Sequence, residues 1–148
     1  MLTANDDMAK LALSAPVAAA VGLALAVAMV APLAFQSDLA AFQFLAVQIG
    51  FIGAVYFGFS VADGRIWPVL IEFPVAGVFL FAGAIALWAD SPAFLAAAYV
   101  AHGAWDLVHH PRAVASPVAR WYPPFCVVFD WAVALFIVLW LPLRGVSA

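Results

Sequence analysis

The stretch LALSAPVAAAVGLALAVAMVAPLAF, residues 11–35, contains no charged side chain. A helix that crosses a membrane needs about 20 mostly apolar residues, and this stretch is long enough. Asp6 and Asp7 precede it with only one basic residue, Lys10. A signal peptide begins with a positively charged segment and has a shorter apolar region. We therefore predict that residues 11–35 form a transmembrane helix.

The whole chain has the composition of an integral membrane protein. It is 69% hydrophobic and 9% charged, with a mean hydropathy of +1.14, whereas a soluble domain is nearer half apolar and a quarter charged. The net charge of −3 and the absence of a basic run exclude a nucleic-acid partner. A single cysteine excludes an internal disulfide and a multi-cysteine metal site.

Four more stretches are apolar and long enough to cross a membrane, and short segments rich in Gly, Pro, Ser and Asp separate them. The predicted spans are residues 11–35, 39–62, 66–89, 92–110 and 123–143. Asp90 or Ser91 followed by Pro92 is typical of a helix start. The sequence therefore predicts one all-α domain over residues 1–148, a bundle of five transmembrane helices.

The basic residues predict the orientation of this bundle. Lysine and arginine concentrate on the cytoplasmic side of a membrane protein. With five spans, one side carries four basic residues: Lys10, Arg65, Arg112 and Arg120. The other side carries Arg144 alone. We expect a cytoplasmic N-terminus and a C-terminus outside.

Small residues recur every fourth position on the first two spans. The two series are Ala18, Gly22 and Ala26, and Gly50, Ala54 and Gly58. Small residues at this spacing let helix backbones approach closely in a membrane. Packing inside one bundle is the interpretation that we favour, and a dimer face is the alternative.

The polar residues concentrate in AHGAWDLVHH, residues 101–110. At about 100° per residue, four side chains share one narrow helical face: Tyr99, His102, Asp106 and His109. Trp105 is predicted to point away from this face, and His110 to belong to the helix end. Histidine and aspartate on one face of a membrane helix indicate a polar site inside the bundle.

Other helices carry acidic residues at a similar depth. Glu72 on the third span, Asp130 on the fifth and Tyr56 on the second all fall in the predicted cytoplasmic leaflet. A charged side chain in the bilayer costs about 2.5–3.5 kcal/mol even on the mildest scale. We therefore expect these groups to face one shared cavity with His102 and Asp106.

A divalent metal would explain this set of residues. Imidazole and carboxylate are common ligands of zinc and iron, and a cation offsets the charge of buried carboxylates. The predicted metal ligands are His102, Asp106, His109 and Asp130. Glu72 is predicted to be a ligand or a catalytic general base, and Asp130 a second catalytic candidate. Four further residues are candidates for lining the site: Tyr56, Tyr99, Cys126 and His110.

These residues predict a membrane enzyme that depends on zinc or iron and acts on a lipid or another lipophilic molecule. Three alternatives remain open. The protein could be a non-catalytic metal-, haem- or pigment-binding protein or a subunit of a larger membrane complex. It could carry protons as a homo-oligomeric transport component, or hold a purely structural polar network. Haem is the weaker cofactor prediction, because all three histidines lie on one predicted helix.

The two motifs HGAWDLVHH, residues 102–110, and WYPPFCVVFD, residues 121–130, stand in the last third of the chain. They resemble a pattern, HxxWDxxHH followed by WYPxxCxxxD, of small bacterial integral membrane proteins without an established activity. The resemblance implies a multi-pass protein of the bacterial inner membrane. It also joins Trp105, Cys126 and Asp130 to the histidines in one motif.

Overall fold

A computed structural model describes residues 13–109 and 118–140 of the chain. These residues form helices connected by short turns and contain no β-strand. The six helices are α1 (Ala15–Leu33), α2 (Asp38–Gly53), α3 (Val55–Asp63), α4 (Ile66–Trp88), α5 (Pro92–His109) and α6 (Tyr122–Trp140). The predicted all-α fold is therefore confirmed for the described part of the chain.

Four helical segments are long and apolar enough to cross a membrane: α1, α2 together with α3, α4 and α6. Helix α5 is not among them. Its 18 residues extend about 27 Å at 1.5 Å per residue, but the histidines and aspartate of its buried face make it more polar. The crossing of α5 remains a prediction, and so does the orientation, because Lys10, Arg112 and Arg144 lie outside the described residues.

The second predicted span is interrupted. Residues Asp38–Asp63 form a 26-residue segment in which α2 ends at Gly53 and α3 begins at Val55. The Ala54 amide donates to the Phe51 carbonyl at 3.1 Å, three residues back, so the α-helical bonding pattern changes there. Gly53 faces the Phe79 side chain, which would lie 2.5 Å from an added Cβ. The break thus lies where α2 presses closely against α4.

Helix α5 occupies the centre of the bundle, where it contacts α6, α4 and α2. Helix α1 packs on α6, while α2 and α3 pack on α4. The Ser91 hydroxyl accepts a hydrogen bond from the Phe94 amide at 3.2 Å, so Ser91 caps α5 and Pro92 begins it, as predicted. A central helix is the natural place for polar residues, since its neighbours screen them from lipid.

Glycines mark the closest helix contacts. An added Cβ at Gly22 would collide with the Phe125 carbonyl of α6, and one at Gly83 with the Ala46 carbonyl of α2. Ala18 and Ala26 are buried on the same face as Gly22. The small-residue series of the first span therefore packs inside the bundle, which confirms the interpretation that we favoured. In the second series, Gly58 is exposed and meets nothing within 4 Å.

Candidate metal site

In the part of the chain that the structure describes, five acidic or histidine side chains are buried in the middle of the bundle. They come from three helices and comprise Glu72 of α4, His102, Asp106 and His109 of α5, and Asp130 of α6. None of the five is more than 3% exposed. The predicted convergence of acids and histidines from the third, fourth and fifth spans is therefore present in the structure.

Helix α5 presents these residues on one face, as its periodicity predicts. Tyr99, His102, Asp106 and His109 are all buried. The prediction for Trp105 was wrong: its side chain is half-buried, and the indole Nε1 donates to Glu72 Oε2 at 3.3 Å. An indole is large enough to reach the neighbouring helix from the edge of the buried face. Trp105 therefore belongs to the polar centre.

Three of the five ionisable groups form a compact cluster of His102, Asp106 and Asp130. The Nδ1 atom of His102 donates to Asp130 Oδ2 at 2.6 Å, and Asp106 Oδ2 lies 3.5 Å from the same nitrogen. One ligand atom from each residue lies within 4.8 Å of the other two. The cluster joins α5 to α6 and brings two carboxylates to one imidazole.

Several polar atoms of this cluster have no hydrogen-bond partner among the described residues. They are His102 Nε2 and both carboxylate oxygens of Asp106, and the nearby hydroxyl of Tyr56 shares this property. Buried polar groups are nearly always paired, and leaving one unpaired costs about 1–3 kcal/mol. Each of these atoms is able to take a further partner, such as a bound ion or a solvent molecule.

Glu72 and His109 form a second polar unit. His109 Nε2 lies 2.9 Å from Glu72 Oε1, and His109 Nδ1 donates to the Trp105 carbonyl at 3.0 Å. The other Glu72 oxygen accepts from the Trp105 indole. Both nitrogens of His109 and both oxygens of Glu72 are thus engaged. Either residue would have to leave this unit to become a metal ligand.

Tyr56 lies between the two units. Its ring stacks on the His109 ring, with centroids 4.0 Å apart and planes 19° apart. Its centroid is 6.5 Å from that of His102, and its hydroxyl faces Asp106. Tyr122 packs edge-on against Tyr56 at 6.0 Å. Tyr56 therefore connects the cluster to the Glu72–His109 unit, in the lining position that the sequence predicts for it.

The other predicted lining residues have different surroundings. The Tyr99 hydroxyl lies 2.9 Å from the Leu45 carbonyl and 2.9 Å from Gln48 Oε1, so its polar end connects α5 to α2. Cys126 is buried beside Tyr122, with Asp106 and Asp130 as its charged neighbours. His110 lies outside the described residues.

Two structural features of the site were missed at the sequence level. The Phe79 ring lies edge-on to His102, with centroids 4.7 Å apart. Gly103 admits the Trp131 indole, whose Nε1 would lie 2.5 Å from an added Cβ. Gly103, directly after His102, was an indication in the sequence that another residue packs closely there. Phe79 is one of 13 phenylalanines in the chain, and nothing in the sequence indicated its contact with His102.

The charges of the cluster fit a divalent cation. Two carboxylates and a neutral imidazole carry two negative charges, which a divalent ion would balance, and a buried charge is tolerated only when it is compensated. Nitrogen and oxygen donors suit zinc, iron and manganese. Three protein ligands with one position left for water are the usual set at a catalytic zinc.

Comparison with protein families places the chain in the DUF6010 family, a family of unknown function whose model matches residues 15–142. The chain belongs to this family of uncharacterised proteins, and the matched region contains all five buried ionisable residues. No curated protein and no solved structure gives a significant match to the chain.

Proposed function

We propose that this protein is a divalent-metal-dependent membrane enzyme that acts on a lipid or another lipophilic substrate from the cytoplasmic leaflet. His102, Asp106 and Asp130 would hold the metal. The observation that carries the proposal is the buried cluster in which one imidazole meets two carboxylates. Its polar atoms without a hydrogen-bond partner among the described residues also favour a ligand-binding site over a closed structural network.

The number of ligands favours an enzyme over a storage or structural metal site. A structural zinc is normally enclosed by four protein ligands, while a catalytic zinc keeps an open position. Among the residues that the structure describes, the cluster supplies three. When bound, zinc would supply an activated water for hydrolysis, and iron would supply redox chemistry. Asp106 and Asp130 would bind the metal beside His102, and a metal bound at His102 Nδ1 would take the place of the hydrogen that bridges this nitrogen and Asp130 in the metal-free protein.

The Glu72–His109 unit is proposed to support this site from α4. Its contacts to Trp105 fix the last two turns of α5, on which Asp106 lies. Glu72 remains a candidate general base, but it would act after giving up its bond to His109. His109 remains a predicted ligand under the same condition.

Proton transfer through the membrane is a second candidate function. Titratable groups follow one another from Glu72 through His109 and Tyr56 to Asp106. Chains of Asp, Glu and His inside membranes serve as proton relays. This function would need no metal, so metal content separates it from the enzyme.

The test is the metal content of the protein purified without a polyhistidine tag. Inductively coupled plasma mass spectrometry on the wild type is expected to find near-stoichiometric zinc or iron. His102→Ala and Asp130→Asn should lose it. Asp90→Asn, which changes an exposed carboxylate in a turn, is the matched control and should keep it. A wild type that holds no metal even after reconstitution would reject the metal-dependent function.

A second measurement separates an enzyme from a closed binding site. Cobalt(II) substituted into the protein has a visible spectrum that reports its ligands. Azide should change this spectrum if a coordination position is open, and a fully ligated site should not respond.

A further inference from the structure

A narrow apolar groove runs between α4 and α5 on the outside of the bundle. Its volume is about 360 Å³. The lining includes Val78 and Phe79 of α4 and Ala101, Ala104, Trp105 and Val108 of α5. Ala101 and Ala104 create the groove, because small side chains on the exposed face of α5 leave room beside the larger residues of α4.

The groove opens where the bilayer would be. Val78 is 63% exposed and Val108 is 40% exposed at its rim, on helices whose outer faces are apolar. Helix α4 itself is long and apolar enough to cross a membrane. Lipid hydrocarbon is therefore the medium in contact with this groove.

The inner wall of the groove is also the wall of the polar centre. Phe79 contacts the His102 ring at a centroid distance of 4.7 Å. Trp105 lies edge-on to His109 at 5.2 Å and donates its indole hydrogen to Glu72. One aromatic ring thus separates the groove from each of the two buried histidines.

We propose that the α4–α5 groove binds an acyl chain of a membrane lipid and brings that lipid to the metal site behind Phe79 and Trp105. The groove offers hydrocarbon contacts, and its one polar group, the Trp105 indole, already bonds to Glu72. A polar ligand finds nothing to bind there, whereas an acyl chain matches the lining. That the bound lipid reacts rests on the proposed function; that it binds does not.

A larger apolar groove lies on a neighbouring face of α4, shares Val78 with the first groove, and serves as a control. It measures about 800 Å³ and runs along α4 towards α2, α3 and the start of α5, with Gly77 in its lining. Ile85 lies in its lining, whereas neither Phe79 nor Trp105 does. Its contact with lipid would be general, without a route to His102 or His109.

The test uses palmitic acid with a photoactivatable diazirine in the middle of its chain. The protein is placed in nanodiscs of phosphatidylethanolamine and phosphatidylglycerol, illuminated, and mapped by peptide mass spectrometry. Label is expected to concentrate on residues 101–108 of α5, none of which lines the larger groove. Ala104→Trp and Val108→Trp, which fill the groove from two positions, should each lose that label. Ile85→Trp, which fills the larger groove two turns further along α4, should keep it.

An even distribution of label over the exposed faces of α1, α4 and α6 would overturn the proposal. So would unchanged labelling of the groove in both filled variants. Thermal unfolding of the same samples shows whether a variant has kept its fold, and their metal content separates the lipid site from the metal-dependent function. Label in the groove of a protein that never binds metal supports the lipid site and rejects the metal-dependent function. Bound metal in a protein whose groove takes no label supports the metal-dependent function and rejects the lipid site.

Discussion

His109 Nε2 lies 2.9 Å from Glu72 Oε1 inside the membrane-spanning bundle. The other nitrogen of His109 faces a backbone carbonyl, which can only accept, so Nδ1 carries a hydrogen. The Nε2–Oε1 contact then holds one shared proton, either as an imidazolium with a carboxylate or as a neutral imidazole with a carboxylic acid. Both forms are neutral overall, which makes the pair compatible with burial.

Substitutions of Glu72 separate a supporting role from metal binding. In Glu72→Gln, the amide can donate to His109 Nε2 and its oxygen can accept from Trp105, so we expect the metal content to be retained and the unfolding temperature to fall slightly. Glu72→Ala removes the partner of His109 Nε2 and of the Trp105 indole, and breaking a buried pair costs about 3–5 kcal/mol. Thermal unfolding in detergent with metal analysis measures both. Loss of metal from a folded Glu72→Gln protein would contradict the supporting role and identify Glu72 as a ligand.

Asp106→Asn tests the charge balance of the cluster. The metal-free wild type holds two carboxylates around one imidazole, and the Asp106 oxygens have no hydrogen-bond partner among the described residues. Chelator-treated Asp106→Asn should therefore unfold at the same or a higher temperature than chelator-treated wild type.

Added metal completes the Asp106→Asn experiment. At a concentration of 100 Kd a ligand stabilises the folded state by about 2.7 kcal/mol, so metal should raise the unfolding temperature of the wild type but not that of Asp106→Asn. Asp90→Asn should respond as the wild type does. An equal metal-induced increase in Asp106→Asn and wild type would remove Asp106 from the ligand set.

The face of α5 was predictable from the sequence, but the pairing across helices was not. Helical periodicity alone places Tyr99, His102, Asp106 and His109 on one face. The repeat of 3.6 residues per turn is a property of one helix and does not depend on its neighbours. The rotation of α4 and α6 about their axes depends on packing, and this rotation pairs Glu72 with His109 and Asp130 with His102.

The break at Ala54 was missed for the same physical reason. The sequence of residues 39–62 reads as one apolar span, and nothing local shows that Phe79 of α4 lies against Gly53. A glycine in a helix indicates that another segment packs closely there, but it does not indicate which segment. Composition therefore predicted the segments, whereas the contacts between them required the structure.

Tyr56→Phe tests whether the Tyr56 hydroxyl lacks a hydrogen-bond partner in the metal-free protein. Phenylalanine keeps the stacking on His109 and removes the hydroxyl, which forms no hydrogen bond to the residues that the structure describes. An unpaired buried hydroxyl costs about 1–3 kcal/mol, so metal-free Tyr56→Phe should unfold at the same or a higher temperature than metal-free wild type. The comparison needs only thermal unfolding with chelator present. A clear decrease would show that the hydroxyl is already bonded, with Asp106 as the nearest acceptor.

Gly103→Ala tests the junction of α5 and α6 beside the cluster. The new Cβ would lie 2.5 Å from the Trp131 indole nitrogen, which donates to the Val100 carbonyl at 3.3 Å. Trp131 must then move, and overpacking of this kind costs about 1–3 kcal/mol. Because Trp131 follows Asp130 directly, its movement should also disturb the 2.6 Å contact between Asp130 and His102.

We expect Gly103→Ala to lower both the unfolding temperature and the metal affinity, measured by thermal unfolding and by metal titration. Gly77→Ala is the matched control, since its Cβ would meet nothing within 4 Å and alanine is favoured over glycine in a helix by up to about 1 kcal/mol. Gly77→Ala should leave the metal affinity unchanged, and its unfolding temperature should be equal to or slightly above that of the wild type. If Gly103→Ala lost stability but bound metal as tightly as the control, the α5–α6 junction would be separate from the metal site, and Asp130 would hold its position without Trp131.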